Sequence, residues 1–178
     1  PKESLSLILK AIKIHGPFPP FIKLHLEILL IMNEISKINK VIKKYWNSDP
    51  SSSLRRIISD FLKKNKMGNL EIIRSIIKGS RDDKESKKLL VDFAIHNGEW
   101  SLARDNVNGL IKFNPDREVC ILMASLELGE FNDKQKRDAW MLRAENSNVD
   151  EIWICQITNI SQNNWSSVSD SGHFNSLE

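Results

Sequence analysis

The chain has 178 residues, of which 40% are hydrophobic and 28% charged, enough for one core or a short stack of repeats. That balance excludes an intrinsically disordered chain, and 7 Gly with 6 Pro are too few for a turn-rich all-β fold. A net charge of +3, from 26 basic and 23 acidic residues, is too mild to point to nucleic acid. Cys120 and Cys155 lie far apart without CxxC spacing, which argues against a disulfide framework or a cysteine-rich metal site.

Residues 1–14 place Leu5, Ile8, Leu9 and Ile12 at helical spacing, and the run His15 to Pro20 breaks that helix. An apolar helix over 20–32 follows, too short and too charged (Lys23, His25, Glu27) to span a bilayer. Asn33-Glu34 predicts a turn, and a helix over 35–47 turns Ile38, Ile42 and Tyr45 inward and its lysines mostly outward. Asp49 to Ser53 stops it and offers serine caps to a short helix marked by Leu54, Ile58 and Leu62. Leu70, Ile73, Ile76 and Ile77 mark the next. Helices over 85–97, 100–112, 117–129 and 134–146 complete the run, and the turn from Glu130 to Asp133 reads as longer than the others. After Ser147 helical periodicity fades, and Trp153-Ile154-Cys155 reads as a short strand.

Short helices of similar length, broken at intervals near one repeat unit, predict an all-α fold: a tetratricopeptide-like solenoid of helical hairpins with a short irregular or β-hairpin tail. In the best-formed unit, residues 90–115, Gly98, Trp100, Ala103, Val107, Leu110 and Pro115 fall at that repeat's offsets. Gly98 permits the tight turn, Trp100 fills the seam, Ala103 is small where helices approach, and Pro115 opens the next unit. Asn33, Ile35, Ile38 and Ile42 take the corresponding places before Pro50, while Gly129, Ala139 and Trp140 echo them later. Residues 51–83 are degenerate. The expected domains are 1–148, the repeats, and 149–178, a tail in which Trp153 and Trp165 anchor on the last repeat.

The order of several features resembles the C-terminal region of the HemY-type tetratricopeptide proteins of proteobacteria. They are Pro19-Pro20 before an apolar helix, Lys40 to Trp46 ending near Pro50, the repeat at 90–115, Ala139 to Ala144, and the Trp165 to Gly172 tail. The family commonly has Pro where Ser167 and Asp170 stand here. The resemblance implies the soluble, cytoplasmic-side part of a bacterial inner-membrane protein anchored by upstream helices and associated with haem biosynthesis. The start at Pro1 and end at Glu178 read as those of an excised fragment.

The expected function is a non-catalytic scaffold for protein–protein interaction. By repeat position, Lys23, Glu27, Lys88, Asp92 and His96 face the concave groove and read a protein or peptide partner, by resemblance a haem-biosynthesis enzyme. The alternative is a tetrapyrrole carrier, with His15, His25, His96 and His173 as candidate axial ligands and Cys120 and Cys155 as thiolates. A structural or solvated role is the plainer reading of each. No cofactor, metal or nucleic acid is expected, and the scattered carboxylates read as surface groups.

Overall fold

The computed structural model describes residues 1–112, 115–147, 153–162, 166, 168–174 and 177. Among them the chain is mostly helical: α1 (Lys2–His15), α2 (Pro19–Ile31), α3 (Ile35–Ser48), α4 (Ser52–Lys64), α5 (Leu70–Ile76), α6 (Lys84–His96), α7 (Trp100–Ile111), α8 (Arg117–Phe131) and α9 (Lys134–Glu145). A 3-10 turn, Ile77–Gly79, extends α5. The chain divides into two compact units, Pro1–Asn148 and Val149–Glu178. In the second, β1 (Trp153–Ile154) pairs antiparallel with β2 (Ser161–Gln162), with Trp153 opposite Gln162. Isolated antiparallel bridges join Cys155 to Leu177 and Val168 to Phe174. Trp165, expected to anchor this tail, lies outside the described residues.

Local chemistry explains where the helices begin. Ser51, Asn69, Asp83, Asp116 and Asp133 each precede a helix and accept a hydrogen bond from a backbone N–H of its first turn. Such caps are worth about 1 kcal/mol each. Gly16, at φ 83°, closes α1 through its N–H to Ile12, and Pro19 opens α2 where a missing N–H costs nothing.

Helix ends repeat one motif. Asn33, Lys66, Gly98 and Asn132 all take the left-handed conformation, at φ 57°, 56°, 75° and 51°. They separate α2 from α3, α4 from α5, α6 from α7 and α8 from α9, and they recur about 33 residues apart. The N–H after each returns to a carbonyl of the finished helix: Glu34 to Leu29 (3.0 Å), Met67 to Leu62 (2.9 Å), Glu99 to Ala94 (2.8 Å) and Asp133 to Glu127 (3.2 Å). The last turn is therefore Asn132-Asp133, not the longer Glu130 to Asp133 expected from sequence. Asn132 supplies the left-handed residue, which Asn tolerates better than most.

Packing follows the same order. The first helices of successive hairpins touch in turn, α2 with α4, α4 with α6 and α6 with α8. One apolar cluster joins α2 to α6 through Leu26, Ile38, Trp46, Ile58, Ile73 and Phe93. A second joins α6, α7 and α8 through Val91, Ala94, Ala103, Val107, Val119 and Leu126. Helix α6 serves both clusters, which is why its sequence from Lys88 to Ala94 is buried or half-buried throughout.

Gly129 is not a turn glycine. It lies inside α8, where an added Cβ would sit 2.7 Å from Cη2 of Trp100, so the indole seats between neighbouring hairpins. Ala103 is fully buried as expected, whereas Ala139 is exposed and Ala144 is the buried alanine of α9. Gly109, in α7, has open space around it. Both glycines are helical, so alanine gains propensity at each and packing alone distinguishes them. Gly109→Ala should stabilise by about 0.5–1 kcal/mol in urea denaturation. Gly129→Ala should destabilise by about 1–2 kcal/mol as the added methyl overpacks against Trp100.

Candidate functional site

The charged groups of the first unit concentrate where α4, α6 and α8 meet. Lys88, on α6, is fully buried, and its Nζ lies 2.9 Å from Glu85 Oε1, 2.9 Å from Asp116 Oδ2 and 3.6 Å from Glu118 Oε2. Arg55, on α4, is also buried and pairs with Glu85 (Nε to Oε2, 2.8 Å) and with Glu118. Lys84 closes on Asp116 from outside. A buried ammonium is tolerated only where anions compensate its lost hydration, and its own helix and the start of α8 supply them here. Burial alone raises the pKa of Asp116. Hydrogen bonds from Lys84, the Val119 N–H and Lys88 outweigh this and hold the carboxyl below the usual Asp value.

Further along the same two helices, Asp92 of α6 accepts from the Ser59 hydroxyl (2.6 Å) and the Lys63 ammonium (2.7 Å), both on α4. Lys63 also lies 5.5 Å from the Phe93 ring centroid. On the other side, Trp46 of α3 is fully buried and donates its indole N–H to Ser86 (2.9 Å) and Ser80 (3.1 Å). His25 is buried, with Nδ1 2.9 Å from the Tyr45 hydroxyl. Desolvation, reinforced by Lys44, lowers its pKa and favours the neutral ring.

These contacts correct two of the sequence assignments. Lys88 cannot face an open groove, because its ammonium is an internal tie between α6 and α8. Asp92 is half-buried and committed to Ser59 and Lys63. The other three remain accessible. Lys23 is exposed and Glu27 half-buried on α2, with no ion pair to any described residue. His96 is exposed at the end of α6, edge-on to Phe93 at 6.2 Å. The structure thus brings Lys88 and Asp92 onto one packed seam and leaves Lys23, Glu27 and His96 at the surface. Glu85 and Glu127, expected at the surface, are instead held by Lys88 with Arg55 and by Arg104 (3.0 Å) respectively.

His96 opens onto a cleft of about 610 Å3 lined by the start of α3, the end of α4, the turn from Lys66 to Asn69, and Ile72. Among the candidate axial ligands, His15 is exposed beside Phe21, while the His173 N–H donates to Ser169 Oγ (3.1 Å). Cys120 and Cys155 are buried free thiols. Among the described residues no group of three or more His, Cys, Asp or Glu is placed to hold a metal ion, and no helix is long and apolar enough to cross a membrane. No family model, curated protein or solved structure matches the chain.

The electrostatic role assigned to Asp116 has a pH signature. Its folded pKa is depressed, so its contribution is complete above the unfolded value, near pH 4, and is lost as pH falls through the folded value. Asp116→Asn keeps a capping acceptor but removes the charge beside Lys88. Urea denaturation at neutral pH should show a loss of about 1–3 kcal/mol, shrinking steadily as pH falls below about 4. A loss that stays constant through that range would contradict the assignment.

Proposed function

We propose that residues 1–148 form a tetratricopeptide-like solenoid and that the chain is a non-catalytic scaffold for docking a protein or peptide. One observation carries this reading: the same left-handed turn recurs about 33 residues apart, between helix pairs whose first helices touch in succession. A stack of this kind presents the exposed edges of its first helices as one continuous surface, and Lys23, Glu27 and His96 lie on such edges. The buried or half-buried carboxylates Glu85, Asp116, Glu118 and Glu127 are each bound by cations within the fold.

By its resemblance to the HemY-type proteins, the partner is a protein of haem biosynthesis at the bacterial inner membrane, and the anchor lies in an upstream segment. The carrier alternative has less support. A tetrapyrrole needs a wide apolar pocket, whereas the cleft beside His96 is open and has Asn39, Asn69, Asn97, Lys63 and Lys66 in its lining. His25 is occupied by Tyr45.

The test is partner capture by the tagged chain from the lysate of its own cells. Lys23→Glu with Glu27→Lys, both at positions without internal ion pairs, should reduce capture about tenfold, or ~1.4 kcal/mol, without changing thermal stability. Capture indifferent to charge reversal at Lys23, Glu27 and His96 would overturn the reading.

A further inference from the structure

The cleft beside His96 holds polar groups that the fold leaves uncommitted. Its apolar lining with accessible surface is Met67, Ile72 and Ile35. Asn39 lines it, and its Oδ1 is buried from water with no hydrogen-bond partner among the described residues. Other polar groups in the lining are already used. Asn69 Oδ1 accepts from the Ile72 N–H (2.9 Å), the Asn97 amide donates to the Phe93 carbonyl (2.7 Å), and Lys63 holds Asp92. The side chains of Lys66 and His96, both exposed on the rim, make no hydrogen bond or ion pair with a described residue.

A buried acceptor without a donor lowers stability, so a fold that retains one is short of a partner for it. The missing group is an N–H or O–H donor that arrives together with apolar surface for that lining and negative charge for the rim. An extended peptide supplies all three, because a backbone N–H comes attached to an apolar side chain and can be followed by Asp or Glu. The Asn39 amide must turn into the cleft to meet that donor. The opposite wall is already formed: the Met67 N–H returns to Leu62, the Asn97 amide reaches the Gly68 carbonyl (3.3 Å), and Gly68 lies flat against the Phe93 ring, where no Cβ would fit.

We infer that this cleft takes a short acidic peptide segment of the partner, with an apolar side chain on Met67, Ile72 and Ile35, a backbone N–H donated to Asn39, and a carboxylate against Lys66 and His96. The inference rests on the scaffold reading and adds a second point of peptide recognition, at the hairpin-turn edge.

Two fluorescein-labelled peptide pools test it, one with a fixed Leu-Glu core and one with Leu-Lys, both with randomised flanks, added to the full chain and followed by anisotropy. The Leu-Glu pool should bind, weaken at least fivefold with Lys66→Glu plus His96→Glu, and weaken again with added salt. The Leu-Lys pool should not bind. Asn39→Leu should abolish binding while raising Tm, since it replaces an unpaired buried acceptor with an apolar group; Asn39→Ala serves the same purpose without added bulk. Equal binding of the two pools, or unchanged binding in the Asn39 variants, would overturn the proposal. If neither pool binds while charge reversal at Lys23 and Glu27 still abolishes partner capture, the cleft assignment fails and the scaffold reading stands. If capture is indifferent as well, both fail.

Discussion

The fold of the first unit turns on one buried ammonium. Lys88 has no water, so its charge must be met inside the protein, and only particular placements of α4, α6 and α8 achieve that. Glu85 comes from its own helix, Asp116 and Glu118 from the start of α8, and Arg55 of α4 balances Glu85 and Glu118 from the other side. Apolar contacts tolerate sliding between helices, whereas a buried ion cluster does not, because removing one member leaves an uncompensated charge. The cluster therefore sets the register of three successive hairpins. It does so at their N-terminal ends, where Asp116 also caps α8.

Helix boundaries were readable because proline, glycine, asparagine and capping residues punctuate a clear 3.6-residue pattern. Each expected helix appears within two residues of its described limits, and of the strand read at Trp153-Ile154-Cys155 the first two residues form β1 while Cys155 makes an isolated bridge. The recurring left-handed turn was legible where its residue was the commonest for the role, as at Gly98. Lys66 hid the second turn, since lysine seldom adopts positive φ and gives no sign of it. Asn132 hid the fourth because Gly129 stood close by and looked like the turn. The glycine serves instead to admit Trp100.

The ion cluster was missed for a different reason. An amphipathic reading sends every lysine and glutamate to solvent, and only partners distant in sequence can reverse that. One signal was present all the same: Asp83-Lys84-Glu85 recurs as Asp116-Arg117-Glu118 at the spacing of the left-handed turns. In each copy the aspartate caps its helix and the glutamate enters the cluster. The spacing of the left-handed turns is thus marked in the charges as well as in the apolar residues. The same contacts explain why two of the five residues expected to meet a partner are internal. Lys88 and Asp92 hold neighbouring hairpins together instead.

That division of labour, with ion pairs along the seam and uncommitted groups at the edges, makes the stack the central physical claim. A double-mutant cycle between Arg55→Ala and Glu118→Ala tests it most directly, because these side chains belong to α4 and α8, separated by a whole hairpin in sequence. The account predicts a coupling of about 1–3 kcal/mol in urea denaturation. Effects that add to within roughly 0.5 kcal/mol would contradict it.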